Sequence, residues 1–337
     1  MPAFIPQLLK PSFAPLRHPA RAPYKLHQRY FEWVLGTALE VQIRAQTLEV
    51  AYKAEAALLF EIDRLERVFS RFLPDSELNV LLSGDGEQRV SLELSTVLRD
   101  SLAWTAHTRG AFNPASEALS QVWREAENQG VRPSSARLQS VLEACREPPY
   151  RVDTPGRTAT PLLSAPLNFN AIAKGFIADQ ACHAAFALKG VSEVVVNLGG
   201  DLRHRGGSRL EVLLEDPFKT VDNAPPLARV RLSGQAVATS GGSRRGFQVA
   251  GEWFSHILDP RTGQPAGHIA SASVLADTCA IADVLATAFT VLEPLESFEL
   301  ASRWPRVGCL LVTQVGEVYS NAFWDAAALS GPLPAVG

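Results

Sequence analysis

Apolar and polar residues alternate from Ala38 to Arg44, the period of a half-buried strand, and from Glu55 to Phe72 apolar positions recur at helical spacing instead. The reading is a strand that runs into a long helix. Helical spacing returns at Leu94 to His107, Ser116 to Asn128 and Ser134 to Cys145, and then prolines crowd the stretch from Pro148 to Pro166. Beyond it, Ile172 to Leu188 reads as a helix. Glu193 to Asn197, Arg209 to Leu214, Ala228 to Leu232 and Phe247 to Ile257 read as strands. A strand at Ser271 to Leu275, an apolar helix at Cys279 to Val291 and a strand pair at Gly308 to Thr313 and Glu317 to Tyr319 complete the pattern. Helices in blocks, apart from strands joined by turns, predict an α+β fold on a mixed or antiparallel sheet with flanking helices. Residues 1–29, rich in Pro, Arg and His and without periodicity, read as a flexible arm. Residues 30–330 read as a single domain of two lobes, about 30–147 and 166–330, with the proline-rich stretch between them.

Composition narrows the partners. With 337 residues, 46% of them hydrophobic, the chain can bury a large core. A formal net charge of -3 lacks the basic excess that a nucleic-acid or anionic-membrane surface requires, so a polyphosphate ligand would have to be held locally. Cys145, Cys182, Cys279 and Cys309 lie far apart with no C-x-x-C pair, which argues against a zinc site or a disulfide framework. The N-terminal residues contain no apolar run long enough for a signal-peptide core or a membrane span, and no cysteine for lipid attachment. The sequence as written is expected in the cytoplasm; a misassigned start would move it to the periplasm or the inner membrane.

Several segments have the residue types for chemistry. NFNAIAKGFIADQ puts Lys174 and Gly175 at the expected entrance of a helix, which reads as a phosphate seat or as a solvated helix end. VVVNLGGDLR reads as a buried strand with two glycines at its exit, where Asp201 is either a ligand-facing carboxylate or the cap of a tight turn. VATSGGSRRGF, with Thr239, Ser240, Arg244 and Arg245, is either an anion cradle or a plain hairpin turn. FSHILDPRTGQP presents His256 in an alternating strand followed by an Asp-Pro turn. In ADVLATA, Asp283 and Thr287 stand four apart on an apolar helix, within reach of one hard cation, unless Thr287 bonds back to its own helix.

In this order the segments resemble the ApbE family of FAD:protein FMN transferases, over about Val34 to Val312. LGT at Leu35 to Thr37, FSRFLPDSE at Phe69 to Glu77 and RGAFNP at Arg109 to Pro114 resemble motifs of the first lobe. AIAKGFIAD, VNLGGD, ATSG, SHILDPRTG and ADVLATA resemble those of the second. The resemblance implies a two-lobed α+β fold with FAD as substrate between the lobes. Magnesium would sit on the Ala171 carbonyl, Asp283 and Thr287. Leu35, Phe72, Ala111, Phe112, Asn113, Asn168, Lys174 and Ile257 would lie along the flavin nucleotide, with Lys174 and His256 at the reacting end. The implied acceptor is a Thr or Ser hydroxyl in a partner flavoprotein, a subunit or domain of a redox complex. The same metal site would serve an FAD pyrophosphatase that yields FMN and AMP, and a non-catalytic FAD-binding protein would share the motifs.

The chain departs from the family's pattern at four positions. Asn113 and Asn168 stand where the family usually has Asp, Asn170 where it has Gly, and Leu82 where it has Asn. An amide keeps the size and one acceptor oxygen of a carboxylate but loses the charge and adds donors.

Overall fold

In the computed structural model, which describes residues 24–163, 166–219, 224–241 and 246–329, the chain opens with an antiparallel strand pair, β1 (Lys25–Val34) and β2 (Thr37–Ala45). Leu35 and Gly36, with φ of 53° and 74°, form the two-residue turn between them, a geometry matched to the twist of a hairpin. Along β2 every second side chain, Leu39, Val41, Ile43 and Ala45, is fully buried. Helix α1 (Leu48–Phe69) follows, its Thr47 hydroxyl accepting the Val50 N–H as an N-cap and Ala51, Ala54, Leu58, Ile62 and Leu65 forming its buried stripe.

Then come α2 (Glu77–Ser83), β3 (Gln88–Arg89), α3 (Leu92–His107), a single 3-10 turn at Pro114–Ser116, α4 (Glu117–Gln129) and α5 (Ser135–Ala144). The proline-rich stretch contains two short strands, β4 (Tyr150–Asp153) and β5 (Thr158–Pro161), which form a small sheet with β3. Next are α6 (Asn170–Phe186), β6 (Val191–Leu198), β7 (Asp201–Gly206), β8 (Leu210–Leu214), β9 (Ala228–Leu232) and β10 (Ala236–Gly241). The rest of the chain gives β11 (Gly246–Val249), β12 (Glu252–Ser255), β13 (Ile269–Ala276), α7 (Cys279–Phe289), α8 (Pro294–Ala301), β14 (Gly308–Thr313), β15 (Val318–Ser320) and α9 (Ala322–Ala327).

Eight strands form one sheet in the order β1-β2-β6-β7-β10-β13-β14-β15, and each neighbouring pair is antiparallel. The α+β class expected from the sequence is the class observed. Helices α1, α6 and α7 cover one face, over Val41, Val194, Val196, Ala236, Ala238 and Val274. On the opposite face, Val195, Leu202, Val237, Leu275 and Leu310 pack under the β8–β9 hairpin and Trp324 of α9. A smaller cluster joins α4, α5 and the β11–β12 hairpin through Trp123, Leu138, Phe247 and Val249, and the Trp123 indole N–H donates to the Gly263 carbonyl at 2.9 Å.

Three local readings change. The expected strand from Phe247 to Ile257 is a hairpin, broken at Ala250 and Gly251, which take φ of 52° and 83°. The segment expected as a polar hairpin around Thr239 and Ser240 is instead the end of β10, a strand inside the large sheet; Arg244 and Arg245 lie outside the described residues. Strand β1 begins at Lys25, inside the stretch expected to be an arm. All four cysteines are buried and unpaired.

Candidate active site

The period of two along β10 sends Ser240 to the same face as Ala236 and Ala238, toward α7. There its hydroxyl lies 3.2 Å from that of Thr287. Thr287 therefore reaches across to the sheet. One turn earlier on α7, Asp283 is 2% exposed. Its Oδ2 lies 3.4 Å from both the Lys174 ammonium and the Gly175 backbone N–H of α6.

The β6–β7 turn brings a second carboxylate. Gly199 and Gly200 take φ of 64° and 101°, and a side chain at Gly199 would meet the Thr37 hydroxyl oxygen at 2.3 Å. The tight turn lets the hairpin pass beside the start of β2. It leaves Asp201, 2% exposed, as the first residue of β7 and in an ion pair with Lys174. The cap of that turn is Asn197, whose side-chain oxygen accepts the Gly200 N–H at 3.1 Å. Asp201 is therefore not the cap of the turn, and its carboxylate lies buried beside Lys174.

Lys174 and Gly175 do not stand at the entrance of their helix. Helix α6 begins at Asn170, so they belong to its second turn. Gly175 is where α6 and α7 cross: a Cβ there would lie 2.5 Å from the Cys279 carbonyl oxygen. The register of the crossing is held by Asp179, one turn on, whose two oxygens accept the Cys279 and Ala280 N–H groups at 3.0 Å each, while Arg203 of β7 pairs with it. These are free donors of the first turn of α7, so one helix caps the other. Helical geometry aims the Ala171 carbonyl along the axis toward Gly175, the residue whose N–H also faces Asp283.

The electrostatics follow from two carboxylates and one ammonium in a poorly solvated space. Burial, reinforced by Asp201, raises the Asp283 carboxyl well above the ordinary range against the pull of Lys174. Asp201 is raised by burial with Lys174 opposing. Burial disfavours the Lys174 ammonium, but the two carboxylates outweigh it and hold its pKa above the usual value. Two carboxyl groups around one ammonium, with the Thr287 hydroxyl one turn along α7 and that of Ser240 bonded to it, form a hard-oxygen donor set that suits a small divalent cation, whose charge would favour the ionised carboxylates. No described group of three or more His, Cys, Asp or Glu side chains could hold a metal; the expected set contains one carboxylate, one hydroxyl and one carbonyl.

The sequence pattern of the ApbE family matches residues 35–311. The chain belongs to the ApbE family. The "FAD:protein FMN transferase" of Treponema pallidum is 30% identical over 313 residues, which cover 86% of each chain. That of Rhodobacter capsulatus is 28% identical over 315 residues, 90% of this chain but 59% of the relative, so this chain spans little more than half of it. Among solved structures, the ApbE protein of Thermotoga maritima superposes with a TM-score of 0.78 at 23% identity, over 91% of this chain and 100% of that one. The flavinyl transferase ApbE of Pseudomonas stutzeri does so with 0.73 at 22%, over 91% and 98%. At such identities the likeness establishes the fold.

Of the residues that the ApbE family resemblance singles out, an ion pair joins Lys174 to Asp283, and Thr287 stands one turn further along α7, bonded to Ser240. Asn168 precedes α6, accepting the Asn170 N–H at 2.9 Å and donating from its own backbone N–H to Pro114 O at 2.8 Å. Asn113 caps the 3-10 turn through the Ala115 N–H and reaches the Cys145 carbonyl at 3.2 Å. Ala111 and Phe112 are 2% and 3% exposed, so their side chains belong to the core. Leu35 occupies the β1–β2 turn, while Phe72 is 76% exposed beneath the Arg71 guanidinium, 4.7 Å from its ring centroid. His256 is half-buried just past β12, not within a strand as expected. Ile257 beside it packs on the main core, its N–H bonded to Ser255 Oγ at 3.1 Å. Sequence reasoning missed Asp179: its spacing from Lys174 was visible, but its partners on α7 lie 100 residues away.

Proposed function

We propose that the protein transfers the FMN moiety of FAD to a Thr or Ser hydroxyl of an acceptor flavoprotein and releases AMP. The observation that carries this reading is Lys174 between two buried carboxylates, beside the Thr287 and Ser240 hydroxyls, in an ApbE-family chain. Relatives named FAD:protein FMN transferase support it.

Asp283, Thr287 and the Ala171 carbonyl would hold magnesium, which when bound supplies positive charge against the pyrophosphate as its phosphoanhydride bond breaks. Lys174 keeps its proton and offers a second positive charge to the phosphate oxygens, with Asp201 fixing its direction. The acceptor hydroxyl oxygen bonds to the FMN-side phosphorus, the bond from that phosphorus to the bridging oxygen breaks, and the oxygen leaves with AMP. His256 orients the hydroxyl or takes its proton. Ser240 fixes the Thr287 hydroxyl through their mutual hydrogen bond. The acceptor is read as a subunit or domain of a redox complex. No helix among the described residues is long and apolar enough to cross a membrane.

The test is AMP release from FAD by purified protein, with magnesium or EDTA, with and without a threonine-containing acceptor peptide, followed by the peptide's mass. Magnesium-dependent AMP with a gain of one FMN unit is the expected result, and Lys174→Met should slow it by about 100-fold or more. AMP with free FMN would make the protein a pyrophosphatase. Bound FAD without AMP would make it a non-catalytic flavin binder.

A further inference from the structure

Glu117 opens α4 and is 6% exposed, a burial that a carboxylate tolerates only when fully paired. It has no part in the chemistry above, yet both its oxygens are used. Oε1 accepts from Arg124 at 2.6 Å, and Oε2 accepts from Arg71 at 2.8 Å and from the Asn168 side-chain amide at 3.0 Å. Arg124 shares α4 with Glu117, but Arg71 and Asn168 come from separate stretches of chain. Arg71 precedes and covers Phe72, and Asn168 holds the first N–H of α6, the helix of Ala171 and Lys174.

The Asn168 amide is used at both ends, its NH2 toward Glu117 and its oxygen toward the Asn170 N–H. A carboxylate could serve the second contact but not the first, because it has no proton to donate and would set a second negative charge against Oε2. An amide at position 168 therefore matches the buried glutamate on one side and the entrance of α6 on the other.

We propose that Glu117 is a positioning residue for FAD: it ties the Arg71–Phe72 segment to the entrance of α6 through the Asn168 amide. The proposal rests on the FMN-transfer reading, since it assumes that Phe72 and α6 flank the nucleotide. Glu117 acts through Arg71 and Asn168.

A charge swap tests it, read as KM for FAD and kcat of AMP release, with thermal unfolding of each variant as the control on folding. Asn168→Asp places two carboxylates together and should raise KM about tenfold or more with kcat changed far less. Adding Glu117→Gln restores a donor–acceptor pair and should return KM to within about threefold of the parent. Glu117→Gln alone should raise KM in between. If the double variant is as impaired as the two single effects multiplied, or if KM is unmoved while only the unfolding midpoint shifts, Glu117 is structural and the proposal fails. A parent protein that neither binds FAD nor releases AMP would overturn the FMN-transfer reading itself, an outcome separate from failed rescue in an active parent.

Discussion

Gly175 sets how closely α6 and α7 approach each other. Alanine there would drive a methyl against the Cys279 carbonyl, and neither backbone can yield without parting the helices that hold Lys174 and Asp283. Gly175→Ala should cost roughly 1–3 kcal/mol, read as a lower urea midpoint. The sequence motif was legible but its reason was not: a glycine beside a lysine looks the same whether it admits a phosphate or a second helix, and Cys279 is remote in sequence. Asp201 illustrates the same limit, since only the fold reveals that it faces Lys174. Glu117 gives a prediction in pH. Burial works to raise its carboxyl, and Arg124 and Arg71 together overcome this and hold it below the ordinary range. Such a group adds stability above its unfolded pKa, about 4.3 for Glu, and loses it as pH falls through the lower folded value. The thermal midpoint of the parent should therefore exceed that of Glu117→Gln at pH 7, with the gap narrowing as pH drops below about 4. A gap independent of pH would contradict the assignment.

At the scale of elements, α7 is aligned by groups outside it. Asp179 of α6 accepts its first two N–H groups and the Thr278 hydroxyl accepts the Ile281 N–H at 3.4 Å. Asp179→Ala should lower stability by about 1–2 kcal/mol, as loss of a cap does. In the proposed reaction, where Asp283 and Thr287 would hold magnesium, it should also raise the magnesium concentration for half-maximal AMP release; an unchanged requirement would show that α7 keeps its alignment without this cap. Elements with a one-sided pattern were legible, as with β2 and α1, and α7 was legible as a nearly continuous apolar run. Others were not, for definite reasons. In KLHQRYFEWV, the edge strand β1, residues of both faces are exposed, so no clean alternation marks it. Strand β10 ends in Thr-Ser-Gly, residues that locally signal a turn. The His256 segment read as one continuous strand because Ala250 and Gly251 look apolar and small, and only their positive φ reveals the hairpin.

At the scale of the whole molecule, the sheet separates two jobs. The helices on one face hold Asp283 and Lys174, with Asp201 beside them at the start of β7, and the β8–β9 hairpin with α9 seals the other face. Trp324, 2% exposed, belongs to the sealing side. Trp324→Ala should cost about 3–5 kcal/mol in unfolding free energy and leave KM for FAD unchanged in the folded fraction; a changed KM would mean that strain passes through the sheet. The crossing of α6 and α7 has a different consequence. With no side chain between the two backbones at Gly175, there is nothing that can rotate aside to let one helix fray while the other stays. Their amide protons near the crossing should exchange with deuterium as one cooperative unit, at similar protection, and those of the exposed β1 edge should exchange sooner. In the proposed reaction, a crossing that exchanges as one unit would leave entry and exit of the nucleotide to the surrounding loops.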